Sequence, residues 1–120
     1  MLKPILAALL IAAAADAAAH KRWMNDASDA QEDFRDAVTA KSPAKASAAA
    51  MKIDSLMSRT EGYWAEKKAA DIVALARESR ELARRTAMLA KAGKFDEANA
   101  SFTKLGATCN ACHDKHPERR

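Results

Sequence analysis

From about residue 21 to residue 113, apolar residues recur at alternating steps of three and four, the spacing that lines one face of an α-helix. No stretch shows the alternate-residue pattern of a half-buried strand. Trp23 or Met24, Ala27, Ala30, Phe34 and Val38 form a first stripe and predict a helix over about Lys21 to Ala40. Ser42-Pro43 reads as a stop followed by an N-cap and a first-turn proline, and Ala49, Ile53, Leu56, Met57 and Thr60 carry a second helix that Gly62 closes. Trp64 lies near the start of a third, which runs on Ile72, Leu75, Ala76, Leu82, Ala83, Thr86, Leu89 and Ala90 and ends at Gly93. The fourth is the clearest, with Phe95, Ala98, Phe102, Leu105, Cys109 and Cys112 on one stripe and Pro117 limiting its extent. Four amphipathic helices joined by short connections predict an all-α fold, an antiparallel up-down-up-down four-helix bundle.

Before the first stripe stands a different pattern. Lys3 precedes an unbroken apolar run of eleven residues, Ile5 to Ala15, and Ala17-Ala18-Ala19 offers small residues for cleavage. Residues 1–19 therefore read as a signal peptide and 20–120 as a single domain beginning at His20, with a cut after Ala15 as the alternative. The run falls short of the roughly 20 apolar residues that span a bilayer, and Asp16 interrupts it. The expectation is export to the periplasm with no stable membrane insertion after cleavage. Loss of the leader removes Lys3 and Asp16 together, so the formal net charge of +4 persists. Because the basic residues are spread among sixteen acids rather than gathered in one stripe, nucleic acid is not an expected partner.

Much of the apolar content is alanine and only 5% of residues are aromatic, so side-chain volume for a core is scarce and a large buried ligand would help to fill it. The candidate for that ligand's attachment is Cys109-Asn110-Ala111-Cys112-His113. Two cysteines three positions apart capture both vinyl groups of a haem as thioethers, and the adjacent imidazole reaches the iron. A structural disulfide is a poor alternative, since it would close a very short loop inside a helix. A tetrahedral zinc set drawn from Cys109, Cys112, His113 and His116 would be strained by adjacent ligands on one helix. A dithiol redox motif wants a strand-to-helix context that this chain lacks.

The mature chain resembles the class II c-type cytochromes, the family of cytochrome c′. The matching residues are Gly106-Ala107-Thr108-Cys109-Asn110-Ala111-Cys112-His113-Asp114, Tyr63-Trp64 entering the third helix, and the four-helix spacing over residues 20 to 116. The resemblance implies one covalently bound haem c near the end of the fourth helix. Cys109 and Cys112 would be its thioether positions and His113 the proximal iron ligand. In the family the distal side of the haem faces the first helix, through a methionine in the low-spin members and an apolar blocker in cytochrome c′. Arg22-Trp23-Met24-Asn25-Asp26 resembles the methionine-bearing start of the low-spin members and makes Met24 the candidate distal ligand. The family also often dimerises through its first two helices, which makes a homodimer an expected assembly. The chain departs from the pattern after the haem histidine, where His116-Pro117 replaces an aromatic residue followed by arginine.

His20 is a minor candidate ligand and Phe34 reads as core. Met51, Met57 and Met88 read as ordinary packing on the second and third helices. His116 reads as an exposed residue or a hydrogen-bonding partner of His113, and Arg119 and Arg120 as a solvated tail. Arg77, Glu78, Arg80, Glu81, Arg84 and Arg85 read as a solvated face supported by pairs along the same helix, or as a docking surface for an acidic redox partner of unknown identity. The expected function is one-electron carriage by an exported monohaem cytochrome that is not an enzyme. The rivals are a five-coordinate cytochrome c′ binding NO or CO, and a haem-free structural or metal-binding bundle.

Overall fold

A computed structural model describes residues 2–115, with side-chain surroundings from residue 17 onward. The described residues form four helices and no strand: α1 (Leu2–Thr39), α2 (Pro43–Glu66), α3 (Ala70–Lys91) and α4 (Phe95–Lys115). They build a four-helix bundle in which α2 packs against both α1 and α3, and α3 against α4. His116, Pro117, Arg119 and Arg120 lie outside the described residues.

The start of α1 differs from the predicted one at Lys21. The helix is continuous through Ala17-Ala18-Ala19, the predicted cleavage segment, because these are strong helix formers with no breaker among them. At the α1–α2 connection the reading holds: Ser42 is the N-cap, its hydroxyl accepting from the Lys45 amide at 3.4 Å, and Pro43 occupies the first turn. α2 ends at Glu66, past the stop predicted at Gly62. Gly62 lies inside the helix, and Tyr63 and Trp64 are buried in its last turns rather than opening α3.

The reason lies in how the three connections close. In each, an amide reaches back five residues to a carbonyl (Ser42 to Ala37 at 2.9 Å, Ala69 to Trp64 at 3.1 Å, Lys94 to Leu89 at 2.9 Å) around a residue of positive φ. That residue is glycine only at Gly93; at the other two turns it is Lys41 (φ 54°) and Lys68 (φ 59°). A lysine carries no sequence signal for a left-handed cap, so the interior glycine at 62 was the more visible mark.

The main core collects Phe34 from α1, Ile53 and Met57 from α2, Ala83 and Ala87 from α3, and Phe102 and Leu105 from α4, with alanines between them. Phe34 is wholly buried and stacked on Phe102, ring centroids 4.4 Å apart, which makes it core as expected. A smaller cluster at the other end joins Tyr63, Trp64 and Ile72, with Trp23, Val73 and Cys112 packed against it. Met51 (44% exposed) and Met88 (67% exposed) are not packing residues, contrary to expectation: each falls on the outer face of its helix.

The charged face of α3 is solvated as expected, with Arg77, Glu78, Glu81, Arg84 and Arg85 exposed, but three of its arginines find their partners across on α2 rather than along the same helix. Arg80 bonds Asp54 at 3.1 Å and Glu61 at 3.3 Å, Arg84 meets Asp54 at 3.3 Å, and Arg77 meets Glu61 at 3.4 Å. Asp54 and Glu61 stand seven residues apart, two helical turns, and so face the same row of arginines. The hydrogen bond from Arg80 to Asp54 leads the effects that raise the guanidinium's pKa above its ordinary value.

Candidate functional site

α1 and α4 approach through the Phe34–Phe102 stack, and a groove of about 310 Å³ lies between them. One wall is α4, with Gly106, Cys109, Asn110, Cys112 and His113. The other is α1, with Met24, Ala27, Ser28, Gln31 and Arg35, and α2 adds Met57. The helical repeat explains the selection. Positions 24, 27, 28, 31 and 35 fall on one stripe of α1, and 106, 109, 110 and 113 on one stripe of α4. Thus Cys109, Cys112, His113 and Met24, which are up to 89 residues apart in sequence, border one space. A larger depression of about 500 Å³ between α1 and α2 is lined by alanines, Asp33, Asp36, Lys45 and Lys52 and offers no thiol or imidazole.

Both cysteines are half-buried free thiols. Cys109 packs against the main core and Cys112 against the aromatic cluster. Burial pushes the Cys109 thiol up, an effect partly offset by the hydroxyls of Ser79 and Thr108. Burial, with the neighbouring Cys109 and Asp71, pushes Cys112 up from 9.0 to about 11. Both thiols are therefore protonated at neutral pH, the opposite of the lowered pKa that activates a catalytic dithiol. Among the described residues no group of three or more His, Cys, Asp and Glu side chains is gathered to hold a metal ion, and His116 of the imagined zinc set lies outside them.

His20 is 5% exposed and faces the aromatic cluster. Its Nε2 accepts the indole N–H of Trp64 at 3.2 Å, and its ring stacks on Tyr63 at 4.6 Å and meets Trp64 edge-on at 5.5 Å. These bonds tie the beginning of the predicted mature domain to the end of α2. His113 sits in the last turn of α4, where a cation is favoured by the helix dipole.

Sequence reasoning missed Met57, Gln31 and Arg35 as groove residues. Met57 had been assigned to packing, and it does pack, at 4% exposure, while also lining the groove. Arg35 carries no apolar signal; its guanidinium lies 5.2 Å from the centroid of Phe102. Ser79, Ser101 and Thr108 were missed too, although all three are buried between α3 and α4. The seven-residue spacings, Ser79 to Thr86 on α3 and Ser101 to Thr108 on α4, were the available signal. No protein-family model, curated protein or solved structure matches the chain.

Proposed function

We propose that this chain is an exported, single-haem c-type cytochrome of the class II kind, an antiparallel four-helix bundle that carries one electron and is not an enzyme. The observation that carries the reading is the groove between α1 and α4, which has Cys109, Cys112 and His113 on one wall and Met24 on the other. This donor set fits a haem: two thiols for the vinyl groups, an imidazole for one iron face and a thioether sulfur for the opposite one. Bound haem supplies reversible one-electron chemistry between ferric and ferrous iron.

The chain's own residues do the rest. Cys109 and Cys112 would hold the group by carbon–sulfur bonds, each thiol adding its S and H across a vinyl double bond with nothing lost. His113 would supply one iron ligand. Met24 would supply the other, exclude water from it and favour the ferrous state. Ala27 and Met57 give the groove apolar lining, which lowers the local dielectric. The leader directs the chain to the periplasm, and no described helix is long and apolar enough to cross a membrane. The expected homodimer is to be tested by gel filtration of haem-loaded protein; Phe34, wholly buried within one chain, takes no part in its contact face.

One observation favours the five-coordinate rival: Met24 is partly buried against the main core, so it has a packing role available without the iron. Optical spectra of the purified protein in both oxidation states, with and without carbon monoxide, separate the readings. A low-spin spectrum indifferent to carbon monoxide at neutral pH is the expected result. A high-spin spectrum with ready carbon monoxide binding would overturn Met24 ligation and assign a gas-binding role.

A further inference from the structure

Two buried hydroxyl pairs cross the interface between α3 and α4. Ser79 Oγ and Thr108 Oγ1 lie 2.6 Å apart, and Thr86 Oγ1 donates to Ser101 Oγ at 2.9 Å. All four residues are at most 7% exposed. The pairs are two rungs of one ladder: Ser79 and Thr86 are seven residues apart on α3, Ser101 and Thr108 seven apart on α4, so each helix presents its hydroxyls two turns apart on one face. A one-residue slip or a rotation of either helix would break the pairs between the helices, each worth about 1 kcal/mol, while Ser79, Thr86 and Thr108 keep the carbonyls of their own helices. The ladder therefore selects one register and one azimuth for α4.

The two rungs differ in what stands beside them. Thr108 is the immediate neighbour of Cys109, and the hydroxyls of Ser79 and Thr108 both act on the Cys109 thiol. Along the helix axis it lies about 7.5 Å from His113, whereas Ser101 lies about 18 Å away. Carbonyl acceptors stand beside both rungs, Leu75 O 2.9 Å from Ser79 and Leu105 O 2.7 Å from Thr108 at the near one and Leu82 O 2.7 Å from Thr86 at the far one, so of the two near-rung hydroxyls one donates to the other and the other to its carbonyl. Rotating α4 by about 10° would carry a side-chain atom about 5 Å from its axis through about 1 Å, enough to spoil an axial ligand's geometry.

We propose that Ser79 and Thr108 form a clamp that positions the haem-bearing turn of α4, setting how Cys109 and His113 face the groove, while Thr86 and Ser101 serve stability alone. This rests on the haem reading above. Both are positioning residues and neither is an iron ligand. The test uses haem-loaded protein from a host with an intact cytochrome maturation system, titrated in the ferric form with imidazole and melted in parallel. Ser79→Ala and Thr108→Val are expected to raise imidazole affinity about fivefold, the equivalent of one hydrogen bond of about 1 kcal/mol released from holding the native ligation. Thr86→Ala and Ser101→Ala are expected to lower the melting temperature comparably and change imidazole affinity less than twofold. Thr108→Ser, which keeps the hydroxyl, restores the wild-type affinity. If near-rung and far-rung variants shift imidazole affinity equally, or the near rung shifts it not at all, the clamp is overturned while the haem reading stands. A wild-type chain carrying no covalent haem overturns both, and that outcome is read directly by mass before any titration.

Discussion

Two seams of the bundle meet the shortage of side-chain volume in different ways. Between α2 and α3 the helices pack along a row in which Arg77, Arg80 and Arg84 reach across to Asp54 and Glu61, closing the outer edge over an alanine-rich interior. Between α1 and α4 the Phe34–Phe102 stack joins the helices and a groove opens beside it, bordered by the only two cysteines of the chain. Alanine accounts for the first seam, because small side chains let helix backbones come close. It does not describe the second, where Met24 and Ala27 on one wall and Cys109 and Cys112 on the other leave a groove between them. What sets the open seam apart from the closed one is its chemistry, two thiols and an imidazole facing a thioether sulfur, and this is where the proposed haem would lie.

The comparison breaks hardest at the cysteines. Replacing Cys109 and Cys112 together with serine is expected to abolish covalent haem, read as loss of haem stain on a denaturing gel, whereas substitutions on the α2–α3 seam leave the stain intact. Next in size is Phe34→Ala, which removes a fully buried ring from the stack that joins α1 to α4. A loss of about 3–5 kcal/mol in unfolding free energy is expected by denaturant titration.

A smaller effect follows from the raised Cys112 thiol. In the haem-free chain the unfolded state gives up this proton near pH 9 and the folded state only near pH 11. Its contribution to stability is thus full below about pH 9 and lost as pH rises toward 11. Melting curves of the haem-free protein across that window are expected to show a decline that Cys112→Ser reduces. The decline disappears in haem-loaded protein, whose sulfur has no proton to lose. Smallest is Asp54→Asn on the closed seam, which removes the shared acceptor of Arg80 and Arg84. About 1 kcal/mol of stability is expected to go, and less at high salt, because the pairs are only partly covered.

How much of this was legible in the sequence depended on whether the signal was local. The α4 stripe and the burial of Phe34, Ile53 and Leu105 follow from three- and four-residue spacing, the start of α2 from the Ser42-Pro43 cap and first-turn pair, and all appear in the structure. The end of α2 was not legible, because its left-handed cap is Lys68 and nothing in a lysine announces a positive φ. Nor was the second partner of each helix. Periodicity says that Arg80 and Arg84 share a face, but whether that face meets water or Asp54 is decided by the packing of α2 on α3. The same limit applies at the site. Cys109, Cys112 and His113 could be named from their own spacing, while Met57 and Arg35 enter the groove only because α1 and α2 bring them there. His20 was weighed as a ligand, yet its imidazole bonds Trp64, forty-four residues away.

The central claim is that the open seam holds a covalently attached haem. The most direct test is the intact mass of the mature chain, expressed with its leader in a host with a working cytochrome maturation system. The expected result is a chain beginning at His20 that carries the mass of one haem, with neither cysteine open to alkylation after denaturation. A chain of unmodified mass, with Cys109 and Cys112 both alkylated under the same conditions, would contradict it.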